Sequence, residues 1–125
     1  MQDWNVLLVD DEEEFVTTLA ERLRLRGIAA RISTDGEEAL RMMEADPPQV
    51  VVLDVLMPGL GGLEVLKRIK AGFPKVKVIL LTGQGSTWDG IQGMRMGVFD
   101  YLMKPLNINE LIEKIREAVA SANED

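Results

Sequence analysis

Short, continuous runs of aliphatic and β-branched residues constrain the fold of this chain more than any other feature. The strongest runs are Val6–Val9, Val50–Leu53 and Val76–Leu81, and weaker ones are Ala29–Ser33 and Val98–Met103. Runs that are apolar without alternating with polar residues predict strands buried on both faces, as in a parallel sheet.

The segments between these runs have helical spacing. Apolar residues recur every three or four positions on one face of each segment. Examples are Phe15, Leu19 and Leu23, then Leu63, Leu66 and Ile69, and later Leu111, Ile115 and Val119. Gly27 and Gly72 stand where the first and third helices are expected to stop. Asp35–Glu38 and Asn107–Glu110 have the spacing of capping boxes that open the second and fifth helices.

Five strands that alternate with five helices predict an α/β fold with one doubly wound parallel sheet. The 125 residues are the size of a single domain. In such a sheet the functional crevice lies beyond the carboxyl ends of the strands.

Composition excludes several classes of function. The chain has 14 Lys and Arg against 21 Asp and Glu, a net charge of −7, which argues against direct binding to nucleic acid or to an anionic membrane. It has no Cys and no His, so thiol chemistry, imidazole bases and His-ligated metals are excluded. The beginning of the chain does not resemble a signal peptide, and no apolar run is long enough to span a bilayer, so a cytoplasmic location is expected.

Polar residues stand at the carboxyl ends of four predicted strands. Asp10 and Asp11 follow the first strand, Asp54 ends the third, Thr82 ends the fourth, and Lys104 ends the fifth. Each has an ordinary structural interpretation when taken alone, since an Asp after a strand commonly caps a helix. Their coincidence at one edge of a sheet predicts a shared crevice.

The residue types in this crevice predict phosphoryl chemistry. Three close carboxylates repel one another, and a hard divalent cation relieves that repulsion. We expect Mg²⁺, with Mn²⁺ as the alternative ion. A hydroxyl and an ammonium beside the cation suit a transferring phosphoryl group. A carboxylate is the remaining good nucleophile, which predicts an aspartyl phosphate.

These residues resemble the receiver domain of the bacterial response-regulator family, the CheY-like fold. The resemblance runs from Val6 to about Val119, and we expect one receiver domain over residues 1–125. It rests on the acidic pair, on Asp54-Val-Leu-Met-Pro-Gly, on Thr82-Gly and on Tyr101-Leu-Met-Lys-Pro. It implies the strand order 2-1-3-4-5 and a role in two-component phosphorelay signalling.

The resemblance also implies a role for each site residue. Asp54 would be the phosphoacceptor. Asp11 would bind the metal directly, Asp10 would act mainly through water, and the main-chain carbonyl of Leu56 would complete the protein ligands.

The same resemblance assigns the groups around the phosphoryl oxygens. Thr82 would donate a hydrogen bond to one oxygen and Lys104 would pair with another. The Lys104–Pro105 bond would be cis. Tyr101 is an ordinary core aromatic when judged by its position alone, but the resemblance implies that its ring changes rotamer as Thr82 moves.

The predicted fourth helix leaves alternatives open. Gly90 and Gly93 lie inside it, and they either make the helix marginal, so that it shifts on phosphorylation, or permit close packing. Trp88 is either an exposed anchor for a partner or a cover over the helix.

Departures from the family pattern concern kinetics. Leu56 lies two residues after Asp54, and Gln84 lies two after Thr82. An apolar side chain at position 56 orients no attacking water, so we expect slow self-dephosphorylation. Gly83 replaces the commoner Ala and is expected to be nearly neutral.

The leading hypothesis is a phosphorylation switch that is not an enzyme but assists its own phosphorylation and dephosphorylation. A histidine kinase or phosphotransfer protein would be the donor. Since this chain has no His, the donor must be another molecule. The face of the fourth helix, fifth strand and fifth helix would signal to an effector domain or output protein, in transcription regulation by analogy, or form a phosphorylation-dependent homodimer.

Other functions fit these residues less well. A pseudo-receiver that only binds proteins is the alternative, although such proteins usually lack one of the site residues. An aspartyl phosphatase would need an acid where Leu56 stands. A flavodoxin would need a hydroxyl-rich loop after the first strand, where this chain has five acids.

Overall fold

Strands and helices alternate along the whole chain, as predicted. The computed structural model describes residues 2–57, 59–83 and 87–123. The strands are β1 (Gln2–Val9), β2 (Ile28–Ser33), β3 (Val50–Asp54), β4 (Lys77–Thr82) and β5 (Asp100–Met103). The helices are α1 (Glu13–Arg24), α2 (Gly36–Ala45), α3 (Gly62–Gly72), α4 (Thr87–Arg95) and α5 (Ile108–Asn123).

The strands form one parallel sheet in the order β2-β1-β3-β4-β5. This confirms the predicted doubly wound fold. Val9 pairs with Leu53, Leu53 pairs with Leu80, and Thr82 pairs with Met103. This register brings the carboxyl ends of β1, β3, β4 and β5 to one edge, so the residues that follow them are neighbours.

Alternate residues of each inner strand enter different cores. Val6 and Leu8 belong to a core with α1 and α5, whereas Leu7 and Val9 belong to a core with α2 and α3. All five residues of β3 are buried, because this central strand is covered on both faces. Among the described residues, no helix combines the length and apolar character needed to cross a bilayer.

The predicted caps of α2 and α5 are present. Asp35 accepts a hydrogen bond from the Glu38 N–H (3.0 Å), and Asn107 accepts from the Glu110 N–H (3.1 Å). The Glu38 carboxylate does not complete a reciprocal box, because it accepts the Ser33 hydroxyl instead (2.9 Å). The predicted helix stops differ in kind: Gly27 has φ +82°, whereas Gly72 is the last residue of α3 itself.

Strand boundaries are less well predicted than strand positions. β1 begins at Gln2, ahead of the apolar run, with an irregular register between Gln2 and Val6. β5 begins at Asp100, two residues later than predicted. Val98 is not available to the strand because its N–H donates to the carbonyl of Gly93 at the end of α4 (3.1 Å).

The glycines of α4 allow close packing. A Cβ on Gly90 would lie 2.6 Å from Cε2 of Tyr101, and a Cβ on Gly93 would lie 2.5 Å from Cδ2 of Leu80. Both glycines are buried. The structure therefore supports the close-packing interpretation at both positions. The side chain of Trp88 and residue Gln84 lie outside the described residues.

Candidate functional site

A crevice of about 260 Å³ lies at the carboxyl edge of the sheet. It is lined by Asp11, Glu12, Asp54, Leu56, Gly83 and Lys104. These residues come from the ends of β1, β3, β4 and β5, which is the edge where the fold predicts a functional crevice.

Three carboxylates meet at the base of this crevice. One oxygen each from Asp10, Glu12 and Asp54 lies within 4.8 Å of the others. Asp10 and Asp54 are 2% and 4% exposed, whereas Glu12 is exposed. The sequence predicted Asp11 in this set. Asp11 lines the crevice, but the described cluster contains Glu12 in its place.

Backbone contacts fix the two buried carboxylates. Asp10 Oδ1 accepts from the Glu12 N–H (2.9 Å), and Asp54 Oδ1 accepts from the Leu56 N–H (3.2 Å). Gly62 begins α3 directly against the backbone of Asp54 and Val55, and its N–H donates to the carbonyl of Val55 (3.2 Å). The end of β3, where Asp54 stands, is therefore held by the start of α3.

Lys104 places an ammonium group among these carboxylates. Its Nζ lies 2.9 Å from Asp10 Oδ2, 3.0 Å from Glu12 Oε1 and 3.6 Å from Asp54 Oδ2. It also lies 4.2 Å from the centre of the Phe15 ring. The Lys104 N–H donates to the carbonyl of Thr82 (2.8 Å), and the following peptide bond, Lys104–Pro105, is cis.

The electrostatics of the crevice favour a bound cation. Burial and the nearby charge of Asp10 raise the pKa of Asp54 to about 6, against the partial compensation of Lys104 and the Leu56 N–H. Burial alone would lower the pKa of Lys104, but hydrogen bonds to Asp10 and Glu12, together with the charges of Asp10 and Asp54, raise it above its usual value. A surplus of negative charge thus remains beside Asp54.

Oxygen donors in this arrangement fit Mg²⁺. Carboxylate oxygens are the ligands that this ion prefers, and it is typically held by one or two of them together with phosphate oxygens and water. The acidic cluster of Asp10, Glu12 and Asp54 is compatible with such binding. The participation of Asp11 and of the Leu56 carbonyl stays a prediction.

Thr82 contributes a buried hydroxyl without a partner. Its side chain is fully buried, and Oγ1 has no hydrogen-bond partner in the part of the chain that the structure describes. Gly83, the next residue, lines the crevice. A buried polar atom without a partner is costly, and such atoms in native proteins call for a functional explanation. The hydroxyl thus has an unused hydrogen-bond donor next to the crevice, although it has no exposed surface.

Thr82→Val is expected to leave the unphosphorylated fold intact or to stabilise it by about 1 kcal/mol, because a methyl group replaces a buried hydroxyl that lacks a partner. Urea unfolding of the metal-free protein measures this. Thr18→Val, at an exposed position, is the control. A loss of 2 kcal/mol or so in Thr82→Val alone would show that the hydroxyl is bonded in the folded protein.

Two further predicted residues lie at the crevice opening and on α4, respectively. Leu56 is 61% exposed, and its Cδ1 would lie 3.7 Å from a Cβ on Gly83, so an apolar side chain stands at the opening. Tyr101 is half-buried, with its ring against Gly90 of α4. The ring therefore connects β5 to α4, on the face predicted for output.

Sequence reasoning missed Glu12 and Phe15. Glu12 was noticed only as one member of an acidic run, and Phe15 only as a core position on α1. Both contact Lys104, which lies about 90 residues further along the chain. No local pattern connects residues that are brought together only by the packing of β1 against β3 and of α1 against α5.

The comparisons with known proteins agree with this geometry. A family model described as "Response regulator receiver domain" matches residues 6–116. YkoG of Bacillus subtilis, described as an uncharacterized transcriptional regulatory protein, is 38% identical over 95% of this chain and 52% of its own length. The transcriptional regulatory protein CpxR of Escherichia coli is 39% identical over 89% of this chain and 47% of its own. The chain spans about half the length of these relatives.

Solved structures match over nearly the whole chain. The Francisella response regulator 1452 receiver domain has a TM-score of 0.88 at 31% identity, and the match covers 95% of this chain and 98% of the Francisella chain. The receiver domain of NtrX from Brucella abortus has a TM-score of 0.87 at 30% identity, covering 92% and 98%.

Proposed function

Because the chain belongs to the response regulator receiver domain family, we propose that it is a phosphorylation switch with Asp54 as the phosphoacceptor. The observation that carries the proposal is the buried Asp54 carboxylate, which shares a crevice with Asp10 and the Lys104 ammonium, at the strand edge where Thr82 has an unpartnered hydroxyl. An acceptor, a cation and a free donor group are the parts that phosphoryl transfer requires.

The transfer itself requires one bond to form and one to break. A carboxylate oxygen of Asp54 attacks the phosphorus of a phosphohistidine on a donor protein. The P–N bond breaks, its electron pair stays on the histidine nitrogen, which takes up a proton, and a P–O bond to Asp54 forms. Burial keeps competing water away from this oxygen.

The residues around Asp54 stabilise the charge that develops. The Lys104 ammonium neutralises phosphoryl oxygens, and the Thr82 hydroxyl donates to one of them. Asp10, Asp54 and the neighbouring acidic residues, Asp11 among them, would hold Mg²⁺ or Mn²⁺. When bound, the ion supplies positive charge to the phosphoryl oxygens and orients them.

The output of the switch is proposed to run through Thr82 and Tyr101. Movement of Thr82 toward the phosphoryl group would open space beside β5, and the Tyr101 ring packs on α4 at Gly90. The α4-β5-α5 face is thereby positioned to change its shape on phosphorylation. Leu56 at the crevice opening supports a slow loss of the phosphoryl group.

The partners follow from the family and from the charge of the chain. A histidine kinase or phosphotransfer protein donates, and an effector domain or output protein, or a second phosphorylated copy, receives the signal. The named relatives are transcriptional regulators about twice as long as this chain, and that role supports a cytoplasmic location. A net charge of −7 supports an output that does not involve direct contact with nucleic acid or membrane. Since Asp54, Thr82 and Lys104 are all present, no observation favours the pseudo-receiver.

The direct test is phosphorylation by acetyl phosphate with Mg²⁺. We expect the intact mass to rise by one phosphoryl group, and we expect hydroxylamine, which cleaves acyl phosphates but not phosphate esters, to reverse the change. Peptide mapping after borohydride reduction is expected to locate the group at Asp54. A stable phosphate ester, a different acceptor, or no uptake from acetyl phosphate or phosphoramidate would contradict the proposal.

A further inference from the structure

Glu12 directly precedes α1 without capping it. Asp35 and Asn107, which precede α2 and α5, accept hydrogen bonds from the first N–H groups of their helices. Glu12 occupies the same position at α1, but its side chain makes no capping bond. Glu is an uncommon choice at this position, where Ser, Thr, Asp and Asn are preferred. A residue that departs from a local preference commonly serves another contact.

That contact is with Lys104. Glu12 Oε1 lies 3.0 Å from Lys104 Nζ, and Asp10 Oδ2 lies 2.9 Å from the same nitrogen. The Phe15 ring lies on the ammonium at 4.2 Å, within the range of a cation–π contact. Asp54 Oδ2, at 3.6 Å, is beyond hydrogen-bond distance. Lys104 is thus hydrogen-bonded to Asp10 and Glu12, whereas its contact with the proposed acceptor is a longer ion pair without a hydrogen bond.

We propose that Glu12 is a positioning residue that holds the Lys104 ammonium in a resting position over Phe15 in the unphosphorylated protein. The proposal rests on Asp54 being the phosphoacceptor. A phosphoryl group on Asp54 presents new anionic oxygens to Lys104, so Glu12 and the phosphoryl group compete for one ammonium. In the unphosphorylated protein Asp10 is the second carboxylate bonded to this ammonium.

The exposure of Glu12 determines how strong this competition is. The Glu12 side chain is 63% exposed and the Lys104 side chain 19%, so water screens the pair and the lysine is released at a small cost. A weak hold of this kind adjusts the rate of phosphorylation without preventing it.

Phosphorylation kinetics of Glu12→Gln test the proposal. In the reaction measured, the bond from phosphorus to the acetate oxygen breaks and the bond to Asp54 forms, at saturating Mg²⁺. We expect the maximal rate to rise about two- to five-fold, the range that an exposed ion pair supports, while the half-saturating acetyl phosphate concentration stays within about two-fold. Glu13→Gln, which removes the same charge from the adjacent exposed position, is expected to leave both within about two-fold.

Two results would overturn the proposal. An unchanged or slower maximal rate in Glu12→Gln would show that Glu12 does not restrain Lys104. A loss of Mg²⁺ affinity of about tenfold or more, as expected for a metal ligand or its direct support, would assign Glu12 to the metal instead.

A thermodynamic cycle tests the contact independently of phosphorylation. Urea unfolding of the metal-free wild type, Glu12→Gln, Lys104→Met and the double variant gives the coupling between the two side chains. We expect a coupling of about two- to five-fold in the unfolding equilibrium constant, and none when Glu13→Gln replaces Glu12→Gln. Additive effects would overturn the proposal. If the wild type takes up no phosphoryl group, the proposed function fails, and this cycle still decides whether Glu12 holds Lys104.

Discussion

Replacing Asp54 with Asn is expected to abolish phosphorylation and, in the same variant, to stabilise the metal-free fold at neutral pH. The amide is not a nucleophile for phosphorus, so uptake from acetyl phosphate is expected to fall below detection. The gain in stability has a separate cause. The wild-type carboxylate is buried beside Asp10 and its pKa is raised from 3.8 to about 6, so ionising it in the folded state costs free energy.

The pH dependence of this effect has a definite sign. The folded state binds the Asp54 proton more tightly than the unfolded state, so protonation of Asp54 stabilises the fold. This stabilisation is complete below about pH 4 and is lost as the pH rises through 6. Each pKa unit corresponds to about 1.4 kcal/mol. The free energy of unfolding of Asp54→Asn is therefore expected to exceed that of the wild type by about 1–3 kcal/mol at pH 7.5 and to match it near pH 4.

Urea unfolding in a chelator at both pH values measures this difference. Asp3→Asn is the matched control, because Asp3 is exposed at the far end of β1. Adding Mg²⁺ is expected to reduce the advantage of Asp54→Asn, since an ion that binds only the folded wild type stabilises it by mass action. A variant that is less stable than the wild type at pH 7.5 would show that the ionised Asp54 carboxylate does not destabilise the fold.

Gly62→Ala is expected to destabilise the protein by about 2–4 kcal/mol, the upper range for overpacking. A Cβ on Gly62 would overlap the carbonyl oxygen of Asp54 and lie 2.5 Å from Cα of Val55. These are backbone atoms of the last residue of β3 and of the residue that follows it, and they cannot rotate away as a flexible side chain would. Displacing them also moves the acceptor, so phosphorylation is expected to fall with stability.

Gly72→Ala in the same helix is the control. A Cβ there meets nothing within 4 Å, and Ala is a better helix former than Gly. We therefore expect the free energy of unfolding to stay unchanged or to rise by up to about 1 kcal/mol. Urea unfolding of the two variants isolates the contact with β3 from helix propensity. Equal effects in both would mean that α3 can move away from the strand.

The sheet was predictable because its signals are local. Val6–Val9, Val50–Leu53 and Val78–Leu81 are apolar without interruption, so both faces of these strands carry apolar side chains. Asp35 and Asn107 stand where the second and fifth helices begin. Once the strands are parallel, their carboxyl ends must share an edge, so the sequence alone predicts that Asp54, Thr82 and Lys104 lie near one another.

The rest depends on contacts that no local pattern reports. The Glu12–Lys104 pair joins the start of α1 to the end of β5, two segments that only tertiary packing brings together. Gly62 resembles any glycine after a turn until its distance to the backbone of Asp54 is measured. For the same reason the sequence left open whether Gly90 weakens α4 or accommodates a ring.

The packing of Tyr101 against Gly90 also provides a spectroscopic probe. The chain has one tyrosine, so every tyrosine ring resonance in a proton NMR spectrum belongs to a side chain that contacts α4. Because Gly90 has no side chain, one edge of the ring lies against helix backbone, and that edge experiences the magnetic environment of the peptide groups directly. The seating of α4 on β5 can therefore be followed in the unlabelled, wild-type protein during titration with Mg²⁺ or acetyl phosphate, without a fluorophore or a substitution on the output face.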